Sequence, residues 1–280
     1  MFQARDLSRR YTFGSPLGDW RINWADPITG GLSFCVFPGR SHTMRDQVSG
    51  QYPVAGVHAG AAVPKVGMSS NGPAFLGSAL AHPDADYPNP VTKWGTFNTY
   101  SMMAFCSVPA GTSGVANILD QDNNSGSPRV FQFRLNTNAA QFIVFNTGGT
   151  NFSVATATTY PTGDLVRGWT QVGIVDDAAS KIRMISGIRG HSFDTAETAY
   201  TGTLRALDLS TNLTMFNTNG GSEQAFIGDI YIAALWRRRL DVVEGLRLCA
   251  NPFCFLSRGD LSRSSTRRIY VPSRTTAVFT

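Results

Sequence analysis

The densest oxygen cluster in the sequence is L-D-Q-D-N-N-S-G, which sets Asp120, Asp122, Asn123 and Asn124 close together. Carboxylates and amide carbonyls are the ligands that hard cations prefer, and Asp120, Asp122 and Asn124 have the D-x-D-x-N spacing that opens a calcium loop. The rest of that template fails, because Gly126 falls one place late and Phe131 stands where a bidentate Glu belongs. Two readings stay open: a calcium or sugar site of another kind, and a plain turn of residues that tolerate left-handed backbone.

Hydrolytic chemistry would need a second kind of pattern. Glu occurs only at Glu197, Glu223 and Glu244, and Glu223 and Asp229 come nearest to a carboxylate pair. Six residues along one strand span ~20 Å, whereas glycoside cleavage needs carboxyls ~5–5.5 Å or ~6.5–9.5 Å apart. That pair cannot act alone. His42, His58, His82 and His191 are scattered without i,i+4 or H-x-H spacing, so local hydrogen bonding is expected of them rather than metal binding. There is no G-x-S-x-G elbow, and the glycines are dispersed among turns rather than gathered at the start of a helix. No catalytic residue is expected, and no cofactor beyond calcium.

Charge and rings offer binding chemistry instead. The net charge is +5, and the basicity sits at the two ends. Residues 237–280 carry +6 and residues 1–10 carry +2, leaving about −3 on the body between them. Arg5, Arg9 and Arg10 at one end, and Arg263, Arg267, Arg268 and Tyr270 at the other, are candidates for docking on an acidic partner. So is the run Arg237-Arg238-Arg239, which alternatively caps a sheet rim where the chain turns into a helix. No recognition helix or basic-aromatic platform accompanies the arginines, so sequence-specific nucleic-acid binding is not expected. Tyr87, Trp94, Phe97 and Tyr160 lie in loop-like sequence and could stack on sugar rings, although core packing is the ordinary role of each.

The elements that position these residues are strands. Glu and Lys are scarce, which removes the usual exposed helix faces, while Gly, Ser, Thr and Asn are plentiful. In R-V-F-Q-F-R-L-N-T-N-A-A-Q-F-I-V-F, Phe131, Phe133 and Leu135 alternate with Gln132, Arg134 and Asn136, predicting a hairpin with one wet face. W-T-Q-V-G-I-V and K-I-R-M-I-S-G-I-R-G predict a second hairpin, with Ile182, Met184 and Ile188 inward and Lys181, Arg183 and Arg189 in water. Y-S-M-M-A-F-C-S-V is apolar on both faces and predicts a central strand covered on each side. In F-I-G-D-I-Y-I-A-A-L-W, Phe226, Ile230, Ile232 and Trp236 are placed on one face, and Gly228 allows close approach between sheets.

A short helix follows. Asp241 stands at the N-cap and Glu244 three residues on, a capping box. Val242, Val243, Leu246 and Cys249 or Ala250 form its apolar stripe, and Asn251-Pro252 stops it. The helix is expected to close an open end of the sandwich. Tyr11, Trp20 and Trp24 are read as rings that pin an N-terminal arm by burial. The four cysteines, Cys35, Cys106, Cys249 and Cys254, lack metal or redox spacing and are expected to be reduced and buried.

The run W-T-Q-V-G-I-V-D-D through K-I-R-M-I-S-G, followed by F-I-G-D-I-Y-I-A-A-L-W-R-R-R-L-D-V-V-E-G-L-R-L-C-A-N-P-F, resembles the concanavalin A-like, laminin-G-like jelly rolls. In those domains a hairpin precedes a G-x-I strand, and a short capped helix containing Glu then leads to Asn-Pro-aromatic. I-N-W-A-D-P-I-T-G-G-L-S-F-C-V-F-P-G with R-D-Q-V-S-G is similar to the opening of phage-encoded members, many of which end in a basic arm such as S-S-T-R-R-I-Y-V-P. The resemblance covers most of residues 20–272. Members that hydrolyse glycans carry an E-x-D-x-E pattern that this sequence lacks.

The expected fold is therefore all-β: a two-sheet antiparallel jelly-roll β-sandwich over residues 31–250, with one short helix near the C-terminus. An N-terminal arm spans 1–30 and a basic C-terminal arm spans 251–280. The resemblance implies a non-catalytic structural component of a tailed-phage virion, a capsid decoration, fibre or tail-associated protein docked through its arms. The alternative is a glycan-binding adhesin that recognises the host envelope, and a glycoside hydrolase ranks third. The expected partners are other virion proteins, further copies of the chain and a host surface glycan. No signal peptide or membrane insertion is expected, so synthesis is placed in the host cytoplasm.

Overall fold

The alternation at 131–135 forms strand β8 (Phe131–Asn136), with Phe131, Phe133 and Leu135 buried. The computed structural model describes residues 20–38, 43–56, 58–88, 98–108, 114–121, 129–137, 139–159, 168–188, 193–206, 212–217 and 224–258. Two antiparallel sheets pack face to face. One runs in the order β10 (Asn151–Thr159), β9 (Ala139–Phe145), β8, β7 (Val115–Gln121), β14 (Leu213–Met215), β5 (Ala85–Tyr87). The larger sheet runs β13 (Phe193–Ala199), β12 (Lys181–Ile188), β11 (Trp169–Asp176), β6 (Ser101–Ser107), β15 (Asp229–Trp236), β4 (Gly72–Leu76), β3 (Val66–Ser69). β2 (Leu32–Val36) joins the other end of β15. The fold is a jelly-roll β-sandwich with one short helix among the described residues.

Both hairpins form where periodicity places them. β8 pairs β9 from Phe131↔Val144 to Asn136↔Ala139, and β11 pairs β12 from Trp169↔Ile188 to Asp176↔Lys181. Ile182 and Met184 enter the inter-sheet core, while the exposed Lys181 and Arg183 share Glu197 on β13. β6 lies centrally between β11 and β15, with Met102, Ala104 and Cys106 facing one hydrophobic cluster and Met103 and Phe105 the other. That explains its apolar character on both faces.

Three expectations are corrected. The polar face of β8 is only partly wet: Gln132 is 1% exposed, while Arg134 and Asn136 are half-buried. Phe226, Ile230, Ile232 and Trp236 do not share a face. β15 pairs β6 at Ile230↔Cys106 and then at Ile232↔Phe105, so Tyr231 is an extra, bulged residue. A bulge reverses the facing of everything beyond it. Ile230 faces the space between the sheets, whereas Ile232, Ala234 and Trp236 face outward. Gly228 serves close approach within the larger sheet rather than between sheets, because a Cβ there would stand 2.6 Å from the carbonyl oxygen of Ser107 at the end of neighbouring β6.

The third correction concerns the helix. α1 (Val242–Ala250) has its capping box complete: Glu244 N–H donates to Asp241 Oδ1 (2.7 Å) and Asp241 N–H to Glu244 Oε2 (2.9 Å). It does not close an end of the sandwich. It lies across the outer face of the larger sheet, over β11 and β12. Its buried residues are Gly245, Leu248 and Cys249, with Val242 and Leu246 flanking, whereas Val243 is 73% exposed. The helix sits so close that a Cβ on Gly245 would stand 2.6 Å from Ile185 Cδ1. The stripe thus centres on Gly245, Leu248 and Cys249, rotated ~100° about the helix axis from Leu246.

Packing also continues past the boundaries expected at residues 30 and 251. β1 (Trp20–Ile22) pairs antiparallel with β16 (Leu256–Arg258), and Ile22, Ile28 and Phe255 join the cluster beneath the helix. Residues 20–30 and 251–258 therefore belong to the body. Residues 1–19 and 259–280 lie outside the described residues. The cysteines are free thiols, with Cys254 only partly buried. Among the described residues no helix is long and apolar enough to cross a membrane.

Replacing Leu248 with Ala is expected to cost ~2–5 kcal/mol by removing apolar contact and leaving a cavity. Asp241→Ala should cost ~1 kcal/mol through the lost cap, and Val243→Ala should stay within ~0.5 kcal/mol. Chemical denaturation of the three variants checks that ranking.

Candidate ligand-binding groove

A groove of about 530 Å³ runs between the segment 24–31, the start of β2 and the loop that carries Val48, with Arg237 also lining it. The Trp24 ring is 60% exposed beside it. The volume falls within the ~300–1,000 Å³ typical of small-ligand sites.

Each wall is set by local hydrogen bonds. Trp24 occupies a turn closed by Asp26 N–H donating to the Asn23 carbonyl (2.9 Å). Asp26 caps the following 3-10 turn, Pro27–Thr29, accepting from Ile28 N–H at 3.0 Å. Pro at the first position of that turn is preorganised for it. The Thr29 hydroxyl donates to the Asp26 carbonyl (2.7 Å) and the Ser33 hydroxyl to the Gly31 carbonyl (3.2 Å). The opposite wall is organised by Asp46, which is buried and accepts from the N–H groups of Cys35 (3.0 Å), Val48 (3.1 Å) and Ser49 (3.0 Å), and from the Ser49 hydroxyl.

The groove segment is tied to the helix by two bidentate ion pairs, the stronger geometry for guanidinium and carboxylate. Arg247 grips Asp26 with Nη1 at 3.1 Å and Nη2 at 2.5 Å. Arg238 grips Glu244 with Nη1 at 2.8 Å and Nη2 at 2.6 Å, while its Nε donates to the Gly30 carbonyl (2.6 Å). Trp236 Nε1 donates to the Ile28 carbonyl at 2.7 Å. The bond from Arg247 is the largest influence on Asp26 and holds its carboxyl below the usual range; Arg238 does the same for Glu244.

The arrangement sets an exposed planar ring beside an open trough lined by an arginine, with the nearly buried Thr29 and Ser33 also lining it. It can stack the C–H face of a flat ligand and bond its polar rim.

The protein is similar in fold to toxin binding domains. It matches the binding domain of Paraclostridial Mosquitocidal Protein 1 with a TM-score of 0.57 and 11% identity, covering 81% of this chain and 53% of that one. It matches the botulinum neurotoxin type G receptor-binding domain with a TM-score of 0.50 and 10% identity, covering 78% and 50%. The chain therefore spans about half the length of each. At this identity the likeness is one of fold. No protein-family model and no curated protein matches the chain.

The structure disperses the residues singled out by sequence. Among the arginines of the run, only Arg237 lines the groove, with its N–H donating to the Gly31 carbonyl at 2.9 Å. Arg238 is held by Glu244, and Arg239 pairs with Asp176. Tyr87 is corrected outright: its ring is fully buried edge-on to Phe34, and its hydroxyl donates to the Met44 carbonyl (2.7 Å), so it stacks on no sugar. Asp120 is not a loop residue but a buried member of β7.

Asp229, the one described member of the carboxylate pair, accepts from the hydroxyls of Ser69 (2.5 Å) and Ser78 (2.6 Å), tying β15 to its neighbours. Among the described residues no group of three or more His, Cys, Asp or Glu could hold a metal. Asp122, Asn124, Trp94, Phe97, Tyr160, Glu223, Arg5, Arg9, Arg10, Arg263, Arg267, Arg268 and Tyr270 lie outside the described residues. Sequence reading missed Trp24, taking it for a buried anchor. The signal was its place two residues before Asp-Pro, a pair that favours turn initiation.

The two ion pairs have a pH signature. Carboxyls held below their unfolded value near ~4 stabilise the fold above that pH and lose the contribution as pH falls through the lower folded value. The melting-temperature advantage of wild type over Asp26→Asn should be full at pH 6 and shrink on acidification below pH ~4. Thermal melts of both proteins between pH 3 and 6 check this.

Proposed function

We propose that the protein is a non-catalytic glycan-binding module whose ligand lies in the groove beside Trp24. The observation that carries the reading is the exposed Trp24 ring standing over a trough lined by Arg237, Thr29 and Ser33. What sets Trp24 apart from other exposed rings such as Tyr52 is the formed groove beside it, and a sugar offers both the C–H face for the ring and hydroxyls for the rim. The sandwich fold shared with two toxin binding domains is compatible with such a role, although folds of this kind host many functions.

The resemblance to phage-encoded jelly rolls supplies the setting: a module displayed on a particle surface, touching a host envelope glycan and held by its arginine-rich ends. A purely structural role in the particle draws on those terminal residues alone, whereas binding draws on a formed groove. The non-catalytic part of the reading rests on Asp229, whose two hydroxyl partners give it a structural task.

The test is retention on immobilised host envelope polysaccharide, followed by calorimetric titration with its oligosaccharides. Trp24→Ala should weaken binding at least tenfold, about 1.4 kcal/mol, with an unchanged melting temperature because the ring is mostly exposed. Equal binding by wild type and Trp24→Ala, or no retention of the wild type, would overturn the groove reading.

A further inference from the structure

The outer face of the smaller sheet carries a polar surface that the groove does not use. Directly paired residues of neighbouring strands share a face. Thr214 pairs with Asp86 on one side and Asp120 on the other, Asp120 with Gln132, Gln132 with Ile143, and Ile143 with Ser153. A second row runs Asn117, Arg134, Gln141, Ala155. The opposite face of the same strands presents Phe131, Phe133 and Phe142 to the core.

Arg134 is the centre of this surface. Its Nε donates to Gln141 Oε1 (2.8 Å) and its Nη1 to Gln132 Oε1 (2.9 Å), while Gln141 Nε2 donates to the Ser153 hydroxyl (2.7 Å). Arg134 thus fixes which way both amides point. With its oxygen facing the guanidinium, the Gln132 amide nitrogen is turned away from it. That nitrogen is buried and has no hydrogen-bond partner among the described residues; the same holds for Asn117 Oδ1 across from Arg134. A buried polar atom left unbonded is costly, so this sheet face keeps unspent hydrogen-bonding capacity around a half-buried arginine.

Access is graded. Ser153 and Ala155 are exposed, Arg134 and Gln141 are half-buried, and Gln132, Asn117 and Asp120 are buried. The face is therefore open over β10 and closes toward β7. Burial lowers the affinity of Arg134 for its proton, Asp120 beside it opposes that, and Arg129 reinforces it. An arginine so placed gains from an acceptor that meets its fork bidentately.

We propose that this face is a second binding site, for a carboxylate carried on a hydroxylated ring, as in a uronic acid. Arg134 receives the carboxylate, and Gln141 and Ser153, at the open end of the face, serve the hydroxyls. The site is independent of Trp24 and stands or falls without it.

The experiment is calorimetric titration of the full chain with glucuronate, glucose and acetate. Glucuronate should bind at least tenfold more tightly than either glucose or acetate, since only it presents both groups. Arg134→Gln should abolish that preference, and Trp24→Ala should leave it intact. Because Arg134 also orders two glutamines, Ser153→Tyr serves as the second variant: it fills the exposed mouth without touching the core and should weaken glucuronate at least tenfold while the melting temperature holds. Four results overturn the proposal: no glucuronate binding by wild type, equal affinity for glucose or for acetate, full binding by both Arg134→Gln and Ser153→Tyr, or loss of binding in Trp24→Ala.

Discussion

The fork of Arg238 joins the start of the helix to the segment 28–30, which lies 208 residues away at Gly30. It grips Glu244 bidentately, and it bonds the carbonyls of Gly30 and Ile28. Glu244 in turn completes the capping box of α1. One guanidinium therefore sets both the start of the helix and the wall of the groove. A lysine could not replace it, because a point charge cannot meet a carboxylate and two carbonyls from one plane. The side-chain stem needs equal exactness of space. A Cβ on Gly31 would stand 3.2 Å from Arg238 Cγ, and Gly31 has φ +74°, so glycine is required there by both sterics and backbone.

The larger sheet has work on both of its faces. Its inner face packs on the phenylalanines of β8 and β9, and its outer face is covered by α1, the 3-10 turn and the β1–β16 pair. The bulge at Tyr231 reconciles the two tasks within β15, sending Ile230 inward and Trp236 outward, where its indole N–H holds Ile28. Tyr231 itself faces outward, and its hydroxyl lies within hydrogen-bond distance of those of Ser69 (2.9 Å) and Ser107 (3.0 Å). The groove thus inherits its position from the bulge: without the reversal, Trp236 would face the inter-sheet core and the segment 24–31 would lose that anchor.

Much of this fold was legible in the sequence because its signals are local. Alternation at 131–135 and at 181–184 fixes strand type, and the spacing of Asp241 and Glu244 fixes the helix start, since each depends only on the pleat or on one helical turn. The apolar run at 101–107 announced a central strand for the same reason. Less of the candidate site was legible. Three arginines in a row carry no mark of their separate partners, and only the fold brings Glu244 to Arg238 and Asp176 to Arg239. Tyr87 and Trp24 exchanged the roles expected of them, because whether a ring is covered depends on segments far along the chain.

The amino-acid sequence by itself determined the class of the protein, its hairpins, its capped helix and the uneven distribution of its charge. Only the tertiary structure decided where the helix lies, which face follows the bulge, which rings meet water and which polar residues gather on the smaller sheet. The physical reason is one of range. Period and capping are read over a few residues, whereas burial and ion pairing join positions such as Asp26 and Arg247, whose meeting no local pattern records.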